Sequence, residues 1–120
     1  MPVIGNFQLA NGQAAYGGGK AANPAAAVNV GLGFVPRYVK VFNLVNAAVV
    51  TTEFIQGDTN VDMGEGVKIA AGASPATAAK LATNGITVGT VTIDDQQVEG
   101  FTIGTGCLTA NTSYMWIALG

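Results

Sequence analysis

In "AVNVGLGF" the apolar residues Val28, Val30, Leu32 and Phe34 alternate with Asn29, Gly31 and Gly33, a period of two that predicts a strand with one face in a core. After Pro36, "RYVKVFNLV" alternates again. Val39 and Val41 fall on one side and Tyr38, Lys40 and Phe42 on the other, so both faces of this strand are expected to be partly covered. "AAVVTTEFI" is rich in β-branched residues and runs into the turn residues "QGDTN"; joined to its predecessor near Asn46, it reads as the second arm of a hairpin. "GITVGTVTI" offers Ile86, Val88, Val91 and Ile93, with Gly89 shifting the phase between the two pairs, as a bulge would. "VEGFTI", "SYMWIAL", the N-terminal "VIGNFQLA" and the short "GVKIAAG" bring the set to about eight short strands separated by Gly, Asn and Asp, the signature of a sandwich or small barrel. The fold class expected is all-β: a small antiparallel β-sandwich, jelly-roll-like.

Two stretches stand outside this pattern. "SPATAAKLATNG" has Ser74 as a possible N-cap, Pro75 at the first helical position, an Ala-rich interior and Gly85 beyond the end, which leaves one short helix or an irregular loop as the options. "LANGQAAYGGGKAANPAAA" is too small-sided to pack a core and too apolar for a solvated tail. Residues 1–24 are therefore expected to be an N-terminal arm that orders on a neighbour or stays a loose leader, with the sandwich domain at 25–120.

Composition narrows the functions. Of 120 residues, 49% are apolar and only 10% charged, so a core can form and the surface is unusually poor in charge, as suits a chain partly covered by other chains. Lys20, Arg37, Lys40, Lys68 and Lys80 are the only basic residues and form no run, which argues against nucleic acid as a partner. No segment has the apolar core of a signal peptide or the length of a membrane span, so the protein is expected to be made and kept in the cytoplasm, or to leave by cell lysis.

The chain has no histidine, which removes the commonest general base and metal ligand together with the hydrolase schemes built on them. Cys107 is single and reads as a small buried apolar residue. Asp94 and Asp95 are adjacent, which suits a solvated turn better than a pair of carboxylates aimed at one substrate. "GDTNVDMGEG" spaces Asp58, Asn60 and Asp62 like a calcium loop but has Met63 and Ile69 where that loop needs Gly and Glu, leaving at most a weak site at Asp58, Asp62 and Glu65. "GGGK" at Gly17–Lys20 lacks the earlier Gly and the following hydroxyl of a phosphate loop. Tyr114 and Trp116 share a strand face, as a core pair, an interface anchor or a stacking platform for a sugar. Neither an enzyme nor a bound cofactor is expected.

"LGFVPRYVKVFN" and "EGFTIGTGCLTANTSYMWIALG" together resemble a pattern of small tailed-phage virion proteins: a Gly-Phe-x-Pro-x-x-Val-x-Val strand entry, then Gly-Phe-x-Ile, an Asn-containing turn and a final Tyr-x-Trp-x-Ala strand. The resemblance implies a β-sandwich that decorates capsids or forms part of a tail, usually as a trimer. Phe34, Pro36, Phe101, Tyr114 and Trp116 would then be fold-determining positions, along with Gly33, Val39, Val41, Gly100, Ile103 and Asn111. On this basis the expected function is that of a capsid decoration or cement protein on the virion surface, a homotrimer whose partner is the major capsid protein, with Phe7, Tyr16, Lys20 and Arg37 as candidate contacts to capsid or neighbouring subunit. The alternative is a tail-fibre or carbohydrate-binding sandwich using Tyr114, Trp116 and the "QGDTN" loop.

Overall fold

The alternation after Pro36 becomes a strand in which Val39, Val41 and Asn43 are buried while Tyr38, Lys40 and Phe42 lie half-buried on the opposite face. The computed structural model describes residues 13–45, 49–56, 64–70 and 77–120. Among the described residues the strands are β1 (Ala14–Lys20), β2 (Val28–Gly31), β3 (Tyr38–Asn43), β4 (Val50–Ile55), β5 (Val67–Ala70), β6 (Thr77–Lys80), β7 (Ile86–Ile93), β8 (Gln96–Ile103) and β9 (Ser113–Leu119), with a 3-10 turn at Thr105–Cys107. A six-stranded sheet runs β1-β9-β3-β4-β5-β6 and a three-stranded sheet runs β2-β8-β7, every neighbour antiparallel. The protein is thus all-β and built of two antiparallel sheets, as a small sandwich requires.

The core lies between the sheets. Ile86, Phe101 and Ile103 enter it from the small sheet and Val39, Val41 and Ala118 from the large one, all at most 1% exposed. Each large side chain moved there from water contributes about 1.5–3 kcal/mol. Phe101 meets Trp116 edge to face, ring centroids 5.1 Å apart at 78°. Cys107, Leu108 and Ala21 close the cluster. Phe34 packs against Gly120 beside the sheet, and Pro36 is fully buried.

Part of the expected arm is a strand. Ala14–Lys20 pair with β9 of the same chain, Ala14 opposite Leu119 and Lys20 opposite Ser113; residues 1–12, with Phe7 and the "VIGNFQLA" segment, lie outside the described residues. The inward positions are small because β9 is large there: a Cβ on Gly17 would stand 2.7 Å from Trp116 Cζ2, and one on Gly19 2.9 Å from the Tyr114 hydroxyl. The turn before β9 ties on to the end of β1, Asn111 N–H donating to the Ala21 carbonyl (3.1 Å) and Ala21 N–H to that of Thr112 (2.9 Å).

Two local expectations are corrected. The candidate helix is not formed at Thr77–Lys80, which is instead strand β6 on the edge of β5; residues 71–76, with the Ser74–Pro75 cap, lie outside the described residues. Gly85, read as a helix end, is buried and donates its N–H to the Glu65 carboxylate at 3.0 Å. Nor does Gly89 create a bulge, since the register from Ile86↔Ile103 to Ile93↔Gln96 is unbroken. The phase shift is nonetheless real. Ile86 and Val88 turn one face inward, while the buried side chain nearer the turn is Val91. The switch falls where Gly89 (φ +136°) pairs with Gly100, against which the Val30 carbonyl passes too closely for any Cβ. Beyond it the hairpin lies against β2: Asn29 Nδ2 donates to the Thr92 carbonyl (3.1 Å), and Gly31 sits beside Ile93 and Val98. Asp94 and Asp95 form the two-residue turn with φ of +50° and +66°, the left-handed pair that type I′ geometry demands.

Candidate interaction surface

Pairing fixes what the outer face of the six-stranded sheet carries. Tyr16, Ile117, Lys40, Glu53 and Val67 stand in one cross-strand row, and Gly18, Met115, Phe42, Thr51 and Ile69 in the next. Most of these residues are apolar, yet solvent reaches them: Tyr16 is 83% exposed, Met115 52% and Ile117 40%. Beyond the ends of β3 and β4, Leu44 and Val49 extend the patch, and a groove of about 340 Å3 runs between Tyr16, Phe42, Leu44, Val49, Met115 and Ile117. Isolated exposed hydrophobic residues are ordinary, but a contiguous set marks an interaction site.

Two charges at the centre of this face, Lys40 and Glu53, are held by their neighbours. Lys40 Nζ sits 5.1 Å from the centroid of the Phe42 ring. The Tyr38 hydroxyl donates to Glu53 Oε2 at 2.7 Å. Burial, then this hydrogen bond and the carboxylate's charge, push the Tyr38 phenol up to about 12. The hydrogen bond ties β3 to β4 across their outer face.

The sequence-derived candidates disperse over the molecule. Tyr16 and Lys20 share the outer face of β1. Arg37 is exposed at the entry to β3, beside the end of β9, where its N–H donates to the Leu119 carbonyl (2.8 Å); it therefore lies at the opposite end of the sheet from Lys20. Tyr114 is buried and Trp116 turns its ring to Phe101, so these two belong to the core and form no open platform. Asp58 and Asp62 lie outside the described residues, while Glu65 accepts the Gly85 N–H. Cys107 is buried; burial raises its thiol pKa, opposed in part by a hydrogen bond with Thr52 and by Lys68. A wide depression of about 600 Å3 by Gly31, Leu32, Ile93, Asp94 and Val98 pairs no nucleophile with a base.

Met115, Ile117, Leu44 and Val49 were not singled out by motif. Their signal was nevertheless present: "SYMWIAL" is apolar at successive positions, which a strand with one wet face does not need. What the arrangement offers is an extended apolar sheet face, suited to binding another surface. No family model matches the chain, and neither a curated protein nor a solved structure matches it.

Proposed function

We propose that this chain is a structural protein of a virion, a decoration or cement protein that attaches to the outer capsid lattice through the outer face of its six-stranded sheet. The observation that carries this reading is the exposed run of Tyr16, Met115, Ile117, Leu44 and Val49 on a sheet whose other face is already packed. Covering such side chains contributes roughly 25 cal/mol per Å2 of apolar surface, and the interface needs no moving part or titrating group. The likeness of the "LGFVPRYVKVFN" and "EGFTIGTGCLTANTSYMWIALG" blocks to small tailed-phage virion proteins suggests the capsid as partner.

The test is binding to shells of the virus that encodes the chain, emptied and stripped of it. The purified protein should load to a fixed, saturable copy number. The double variant Met115→Lys with Ile117→Lys, altered only on the outer face, should keep its far-UV spectrum and lose binding by at least tenfold, since each charge must be desolvated at the contact. Shells that take up no protein at any concentration refute the reading; retention of a glycan instead, with the same face dispensable, favours the host-recognition alternative.

A further inference from the structure

Self-pairing through β1 goes beyond the capsid reading and does not depend on it. Among the described residues the two sheets end in β1, β6, β2 and β7. Strands β6 and β2 have four residues each. On β7 the Ile86 N–H is already given to the Glu65 carbonyl, the Thr92 carbonyl receives Asn29 Nδ2, and Gly89 departs from strand geometry at φ +136°. Strand β1 is different: seven residues without Pro, and paired in continuous register with β9. Gly120 N–H donates to the Gln13 carbonyl and Ala21 N–H to that of Thr112, so the odd-numbered residues between them face β9. Ala14, Tyr16, Gly18 and Lys20 consequently direct their N–H and C=O groups away from it. Long regular edges of this kind are where natural sheets add another strand unless charge, Pro or a bulge blocks them.

We infer that β1 pairs antiparallel with β1 of a second copy about a two-fold axis at Gly17, joining two six-stranded sheets into one of twelve. In this register Ala14 faces the partner's Lys20 and Tyr16 faces the partner's Gly18, which satisfies all four outward residues of both copies. Away from the axis, where Gly17 meets Gly17, the cross-seam pairs set a larger side chain against a smaller one: Tyr16 with Gly18 on the outer face, Ala15 with Gly19 on the inner. The two Lys20 side chains fall at opposite ends of the seam, whereas parallel pairing would place them together. Tyr16 then covers the bare main chain of Gly18, as aromatic residues do across from strand glycines, and reaches the partner's Met115, which pairs with that Gly18. Its 83% exposure in the single chain is the surface this contact removes. The symmetry is two-fold, in place of the trimer the virion-protein resemblance implies.

Sedimentation velocity of the full chain over a concentration series should show a species of twice the 12.1 kDa chain mass. Amide hydrogen exchange, read by NMR, should show the Ala14, Tyr16, Gly18 and Lys20 N–H groups gaining protection with concentration, while those of Gly17 and Gly19 are protected throughout. Tyr16→Lys should raise the dimer dissociation constant about tenfold or more. Ala14→Pro, which removes an outward donor and no bond to β9, should weaken it with an unchanged monomer fold. A single-chain mass at every concentration overturns the proposal, even with these amides protected, since another part of the same chain then covers the edge. So does a three-fold species, or a dimer in which the four amides exchange freely.

Discussion

Replacing Phe101 by Ala removes the largest side chain that is wholly buried between the sheets. The expected loss has two parts. Deleting a buried phenylalanine ring costs about 3–5 kcal/mol, including the cavity that neighbours such as Ile86 and Val39 only partly fill. Within it, the edge-to-face contact with Trp116, at 5.1 Å and 78°, accounts for about 0.5–1.5 kcal/mol beyond area burial. Against a total stability of about 5–15 kcal/mol the variant should still fold but melt early. At a urea slope of about 2 kcal/mol per M, the midpoint should drop by about 1.5–2.5 M, followed by far-UV circular dichroism. A double-mutant cycle of Phe101→Leu with Trp116→Leu isolates the ring contact, and its coupling should reach at least about 0.5 kcal/mol. A loss below about 1 kcal/mol for Phe101→Ala, or strict additivity in the cycle, would refute the packing of the two sheets through this pair.

Two further outcomes test the outer face and the hairpin. The Tyr38 phenol, raised above its ordinary value to about 12, favours the folded state below pH about 10 and loses that contribution as pH rises through 12; in a spectrophotometric titration Glu53→Gln should return its midpoint toward 10, and a Tyr38 that titrates normally in the unaltered protein refutes the Glu53 contact. Asp95→Gly, at φ +66° in the β7–β8 turn, should raise stability by about 0.5–1 kcal/mol in thermal melts, because Gly adopts the left-handed region without penalty and Asp-Gly suits this turn; a destabilised variant would show that the Asp95 side chain holds the turn.

Where the sequence was legible, a side chain's size and polarity reported directly on its face. Val39 and Val41 alternate with Tyr38, Lys40 and Phe42, and the sheet places them accordingly. Strand β1 escaped this reading because its inward positions are Ala15, Gly17 and Gly19: the space a Val would fill is taken by Trp116 and Tyr114 of β9, a hundred residues away, so the strand's local pattern carries no alternation. Strand β6 escaped for the opposite reason. Ala78 and Ala79 favour a helix locally, and only the exposed edge of β5 makes them extended. At Gly89 the phase shift was visible and its cause was not, since a bulge and an unbroken register with a face switch give the same spacing of Ile86, Val88 and Val91. Of the exposed outer face of β1 and β9, Tyr16 and Lys20 were singled out in the sequence, whereas Met115 and Ile117 were hidden by their neighbours Tyr114 and Trp116, whose size claimed the strand for the core.

The two exposed sides of the sandwich differ in a way that solvent alone does not explain. Both meet the same water, yet the small sheet presents Thr87, Thr90, Thr92, Gln97 and Glu99, while the large sheet presents Tyr16, Met115, Ile117 and Ile55. A sheet with one wet face needs polar residues only at alternate positions, and the β7–β8 hairpin meets that requirement. Strand β9 does not: its outward Met115 and Ile117 are apolar between the inward Tyr114, Trp116 and Ala118. Such a strand lowers solubility and gains nothing for the monomer's core, so its composition makes physical sense when a second surface covers it. Joining two copies at β1 would enlarge this apolar face rather than hide it, doubling the area a single docking event covers. On the two proposals together, edge pairing and face attachment would act in series, and losing Tyr16, which lies on both the seam and the face, should weaken both.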